Sequence, residues 1–169
     1  MNTRAYSVID TSFWSLCCIV GLEPYLWSTW DALLVPALVQ QELFHQIRPV
    51  SQQQLFTEAL HAGRLHIQDP HTLITTLSKG ERAVVSLAQE QHIAALLDDY
   101  RPHQHAAGLG ITVIGVTQFL IRLLYQGTLS VSETEHHFEQ LRQTGATSPL
   151  FLQWAAQHIQ QKGRRGTWP

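Results

Sequence analysis

A chain of 169 residues is long enough to bury one sizeable core and does not require a second domain. With 44% hydrophobic and 14% charged residues the composition excludes a disordered polymer, and a formal net charge of −2 excludes recruitment of nucleic acid by an overall positive field. The opening MNTRAYSVID is too polar for a secretory segment and no apolar run reaches the roughly 20 residues a bilayer needs, so a cytoplasmic protein without membrane contact is expected.

In chain order, AYSVID is β-branched and stops at Asp10, which suits a short buried parallel strand. SFWSLCCIVG predicts a helix with Thr11 or Ser12 as N-cap and Gly21 as terminator, and EPYLWSTW a second helix. DALLVP is a strand ended by Pro36, which also suits the first helical position of PALVQQELFHQI. SQQQLFTEALHAG predicts a helix capped by Ser51 and ended by Gly63, and GRLHIQD a strand. LSKGERAVVSLAQEQ is a helix, IAALL a strand, YRPHQHAAGLG a short helix and ITVIGV the last strand. After about residue 116 only helical patterns follow: TQFLIRLLYQG, then SVSETEHHFEQLRQTG with a Ser130/Glu133 capping box, then SPLFLQWAAQHIQQK opened by Pro149. Alternating βα units followed by helices predict a parallel α/β sheet covered on both faces. We expect one domain over residues 1–160 and a flexible tail over 161–169.

The two cysteines, Cys17 and Cys18, are adjacent, a spacing suited to neither a disulfide nor a zinc site. The 10 histidines are scattered, and pairs such as His103/His105 and His136/His137 lack the three- or four-residue spacing that places ligands on one helix face.

The acidic residues are distributed less blandly. Ligands bind beyond the carboxyl ends of parallel strands, and both Asp10 and the pair Asp98/Asp99 follow strand-like runs. Glu42 and Glu81 fall on the apolar side of their helices, one turn from Leu38 and Val39 and from Val84 and Val85. Each has a local structural explanation: Ser78 and Glu81 form a capping box, Glu42 a helix-edge surface charge, Asp10 an N-cap region and Asp99 a turn. Together, in βα order, they predict a functional acidic cluster, because a carboxylate removed from water needs a partner or a cation.

VIDTSFW, LLVPALVQQEL, LSKGERAVVSLAQE and ALLDDYRPHQHAAGLGITVIGVTQFLIRLLYQGTLS, in this order, resemble the PIN-domain nucleases, the fold of the VapC toxins of toxin–antitoxin pairs. The resemblance covers residues 6 to about 145. With TGATSPLF it extends to the branch carrying a GlyGlu and an AspAsp motif. It implies a PIN-like three-layer α/β/α sandwich with a central, mainly parallel sheet and additional C-terminal helices. It assigns Asp10, Glu42, Glu81 and Asp99 to the four acidic metal-binding and catalytic positions, with Asp98 as alternative or helper. Thr11 or Ser12 matches the small hydroxyl residue that supports the site. The usual pattern has aspartate third and Thr-x-Asp fourth, where this chain has Glu81 and Leu-Asp-Asp, so the metal number stays open.

Oxygen donors favour Mg²⁺ or Mn²⁺ over zinc or copper. The implied activity is metal-dependent hydrolysis of RNA phosphodiesters, by the toxin of a toxin–antitoxin pair. A DNA-directed nuclease and an inactive PIN fold that binds protein or RNA are the alternatives. Receiver domains place their acidic pair at the first strand, and haloacid-type phosphatases have Asp-x-Asp there, whereas Asp10 stands alone with Ser12 at the second position. No glycine-rich phosphate loop and no Ser-His-Asp spacing is present. Arg64, Arg101 and Arg122 are candidate RNA contacts, joined by Arg142, Lys162, Arg164 and Arg165. Phe13, Trp14, Trp27 and Trp30 are expected mostly in the core, with one or two free for a dimer seam or an antitoxin groove. The expected partners are an RNA substrate, a small antitoxin and a second copy of the chain.

Overall fold

Five short apolar runs pair side by side as parallel strands in the computed structural model, which describes residues 5–45, 49–74, 77 and 79–165. The strands are β1 (Tyr6–Ile9), β2 (Ala32–Val35), β3 (Leu65–Ile67), β4 (Ala94–Leu96) and β5 (Val113–Ile114), in the order β3-β2-β1-β4-β5. Between them lie the helices α1 (Thr11–Ile19), α2 (Glu23–Thr29), α3 (Ala37–His45), α4 (Val50–His61), α5 (Lys79–Gln91) and α6 (Tyr100–Gly108). Three more, α7 (Val116–Tyr125), α8 (Val131–Thr144) and α9 (Pro149–Arg165), follow the last strand. The result is the expected three-layer α/β/α sandwich, with a sheet that is parallel at every pairing.

Central position explains the strand composition. β2 is buried along its whole length, and Ser7, Val8 and Ile9 of β1 are buried too, so neither strand alternates polar with apolar residues. The core behind α1 is aromatic. Trp14 meets Phe56 edge-on at 5.4 Å, Phe13 lies 6.1 Å from Phe119, and Trp30 lies 5.2 Å from Phe119. Phe13, Trp14 and Trp30 are therefore core residues and open no seam; Trp27 alone of the four is partly exposed. A smaller apolar cluster of Ile121, Leu124, Ala155 and Ile159 fastens α9 to α7.

Several helix boundaries differ from the sequence reading. The cap of α1 is Asp10 itself, whose Oδ1 accepts the Phe13 N–H at 2.7 Å, so Thr11 and Ser12 lie inside the first turn. Gly21 follows the helix end with φ +70°, the left-handed conformation expected of a terminator. Pro36 stands outside α3, and its carbonyl accepts the Val39 and Gln40 N–H groups. α4 starts one residue before the expected cap Ser51, after Pro49, whose fixed φ suits the entry to a helix. The Ser130/Glu133 capping box of α8 forms in both directions. α9 continues to Arg165, three residues past Lys162, where its helical pattern is read to end. Ser78, the expected capping partner of Glu81, lies outside the described residues.

Candidate active site

The strand order reverses between β1 and β4, because the chain builds outward through β2 and β3 and then returns to the other side of β1. Such a switch point leaves a crevice beyond the carboxyl ends of its two strands. Asp10 follows β1 and Asp98 follows β4 directly across this seam. The register pairs Ile9 with Leu96, and the Asp10 N–H donates to the Leu96 carbonyl at 3.2 Å.

Asp10 is only 6% exposed. Besides the Phe13 N–H on Oδ1, its Oδ2 accepts the Ser12 hydroxyl at 2.8 Å. These donors favour the ionised form, yet burial outweighs them and, with smaller contributions from Asp99 and Asp98, pushes the carboxyl up to about 7. Asp98 is also buried and also raised, chiefly by desolvation. Its two oxygens are both engaged: Oδ1 accepts the Val116 N–H at the start of α7 at 2.9 Å, and Oδ2 accepts the Thr147 hydroxyl at 3.0 Å. A Cβ on Gly115 would touch Asp98 Oδ1 at an ordinary 3.4 Å and crowd Gln118 Oε1 at 3.2 Å.

Asp99 differs from its neighbour. It is exposed at the N-cap of α6, and its side chain makes no capping bond. The adjacent pair thus divides into an anchored inner carboxylate and an outer one facing solvent. Glu42, half-buried on α3, reaches the same edge, where its Oε2 accepts the Thr11 hydroxyl at 2.9 Å. Glu81 is half-buried in the first turn of α5, which packs on β1, β4 and α3.

The candidate basic residues scatter. Arg101 stands exposed in the first turn of α6, two positions after Asp99, and Arg122 is exposed two turns into α7. Arg64 precedes β3 at the opposite, amino edge of the sheet, with its guanidinium 5.5 Å over the Trp27 ring. Arg142 pairs with Glu139 along α8. Thr147 was missing from the sequence reading. Its only local signal is a place in the hydroxyl-rich corner before Pro149, which suggests a helix cap and nothing about Asp98.

Among the described residues, no three His, Cys, Asp or Glu side chains stand close enough together to hold a metal ion between them. The donors nonetheless fit Mg²⁺ or Mn²⁺. They are hard oxygens, the charge on Asp10 is opposed by burial and neighbouring acids, and Mg²⁺ characteristically keeps several waters while taking only one or two protein carboxylates. Cys17 and Cys18 are free, and burial raises both thiols, so neither offers a thiolate. Among the described residues no helix is long and apolar enough to cross a membrane.

Residues 7–152 match a family model described as PIN domain. The fold is similar to that of a solved PilT N-terminus domain protein from the archaeon Sulfolobus solfataricus, at 15% identity and a TM-score of 0.51 over 70% of this chain and 93% of the other. No curated protein matches the sequence.

Proposed function

Because the chain belongs to the PIN-domain family, whose members are generally nucleases, we propose that it is a divalent-metal-dependent endoribonuclease acting as the toxin of a toxin–antitoxin pair. One observation carries the reading: a buried aspartate, Asp10, set at the topological switch point against Asp98 and Asp99, its carboxyl raised by burial and by both neighbours. One or two of Asp10, Glu42, Glu81 and Asp99 would hold Mg²⁺ or Mn²⁺ directly and the others through its waters; the ion when bound supplies an activated water and neutralises charge on the scissile phosphate.

The remaining contributions are the chain's own. Ser12 and the Phe13 N–H fix the rotamer of Asp10, and the Thr11 hydroxyl does the same for Glu42. Asp98 is committed to Val116 and Thr147, so its role is to hold the end of β4 and add negative potential, leaving Asp99 as the accessible member of the pair. Arg101, exposed two residues after Asp99, would meet a phosphate flanking the cleaved bond, and Arg122, exposed on α7, one farther along the strand. Arg64 sits too far around the sheet to serve the same site. A small antitoxin and a second copy of the chain are the partners this reading carries, and the cytoplasm its place.

The test is cleavage of single-stranded and structured RNA, and of DNA, by the purified protein with Mg²⁺, Mn²⁺ or EDTA, alongside Asp10→Asn. EDTA-sensitive RNA cleavage that the variant lacks supports the proposal. Cleavage of DNA alone moves the substrate to the DNA-directed alternative, and identical behaviour of both proteins on every substrate removes the nuclease.

A further inference from the structure

An acidic crevice repels the polyanion it is to cut, so the substrate needs a holding surface outside it. Beginning at Asp99, aromatic rings follow one another across the surface. Tyr100, 41% exposed, lies 5.8 Å from Phe151 in the first turn of α9, and His103 packs 5.0 Å from the same ring. Three residues on, and hence adjacent on the helix surface, comes Trp154, 37% exposed and 4.4 Å from His158. His158 meets the 44% exposed Tyr125 at the end of α7, their Nδ1 and hydroxyl oxygen 3.3 Å apart. Lys162 Nζ closes the series 5.3 Å from the Tyr125 ring centre. The corner leading into α9 is tied to the crevice, since Thr147 holds Asp98.

We propose that this track, Tyr100, Phe151, Trp154, His158, Tyr125 and Lys162, binds single-stranded RNA by stacking unpaired bases and carries it to the carboxylates. The inference rests on the nuclease reading and adds the substrate's form and path to it. Every base has a face to offer an aromatic ring, so such a track selects unpaired strands over duplexes with little regard to sequence. Lys162 supplies a cation for a phosphate at the far end. Gln153, Gln157 and Gln161, all exposed, each precede a member of the track by one position on α9 and so give the adjoining helix face polar groups that can hydrogen-bond a strand lying along the rings.

Binding is measured by fluorescence anisotropy with fluorescein-labelled single-stranded RNA, and the same RNA as a duplex, in the Asp10→Asn background with EDTA. Single strands should bind in preference to duplex. Trp154→Ala and Tyr125→Ala should each weaken binding by about 5- to 100-fold, with Trp154→Phe and Tyr125→Phe retaining most of it. Lys162→Gln should flatten the salt dependence. Circular dichroism and thermal melting check that the variants fold. Equal affinity across the variants overturns the track, as does an alanine effect on self-association, read by sedimentation, without one on RNA binding. Binding is read without turnover, so a failed nuclease reading, in which Asp10→Asn cleaves like the parent, registers separately from a failed track.

Discussion

The Thr147 hydroxyl donates to Asp98 Oδ2 at 3.0 Å across 49 positions of sequence, joining the α8–α9 corner to the end of β4. Because Asp98 is buried, removing this donor strands part of a carboxylate's hydrogen-bonding capacity away from water. Thr147→Val should cost about 1–3 kcal/mol in urea denaturation and reduce cleavage, while Thr147→Ser should stay close to the parent on both counts.

Asp10 gives a pH dependence whose sign follows from its burial. Its carboxyl titrates at about 7 in the folded chain against an ordinary value of 3.8, so between those limits the folded state holds the extra proton. The corresponding stability is fully present below pH 3.8 and is lost as pH rises through about 7. At ~1.4 kcal/mol per pH unit the loss is of order 4 kcal/mol for the metal-free protein. Asp10→Asn keeps an oxygen for the Phe13 N–H and should remove this part of the decline. Urea denaturation in EDTA at pH 5 and pH 8 measures it; equal slopes in the parent and the variant would contradict the assignment.

Mg²⁺ or Mn²⁺ should reverse that loss. At pH 8 the ion should stabilise the parent by about 2.7 kcal/mol at a hundredfold excess over its dissociation constant, and EDTA should cancel the gain. Asp10→Asn and Glu42→Gln should gain less. Thermal melts across a metal titration decide the matter without any nuclease assay.

Thr11 and Glu42 form a smaller test of the same edge. Thr11→Val removes the hydroxyl that orients Glu42 Oε2, with an expected stability cost of about 0.5–1.5 kcal/mol. Cleavage by this variant should require more metal to reach half its maximum, and Thr11→Ser should restore the parental requirement.

The α8 capping box supplies a contrast remote from the crevice. Ser130 accepts the Glu133 N–H while Glu133 accepts the Ser130 N–H, so Ser130→Ala should cost about 1 kcal/mol of stability. Its cleavage at temperatures well below the melt should match the parent. A parallel drop in activity would mean that α8 reports to the site.

Local chemistry made the elements legible. Buried strands such as ALLV announce themselves as unbroken apolar runs, and the Ser130/Glu133 box needs only two residues three apart. The βα order also points to which strand ends share an edge, and it puts Asp10 there with Asp98 and Asp99. Other features are set by tertiary contacts that a linear pattern does not carry. Asp10 takes the cap expected of Thr11 or Ser12 because the strand delivers its carboxylate to the Phe13 N–H, leaving Thr11 to face Glu42. The division of labour between Asp98 and Asp99 depends on Val116 and Thr147, neither of which signals its partner locally. Arg64 looked equivalent to Arg101 by charge alone, and only the direction of β3 puts it at the other edge.

The central seam has a temporal consequence. β1 is made first but its neighbour across the seam, β4, comes after both outer strands on the other side, and the residue that braces Asp98 comes later still. An emerging chain can pair β1 with β2 and β3 while Asp10 still faces an empty flank. The carboxylate cluster is therefore completed late in synthesis, when β4 docks and the α8–α9 corner closes over it.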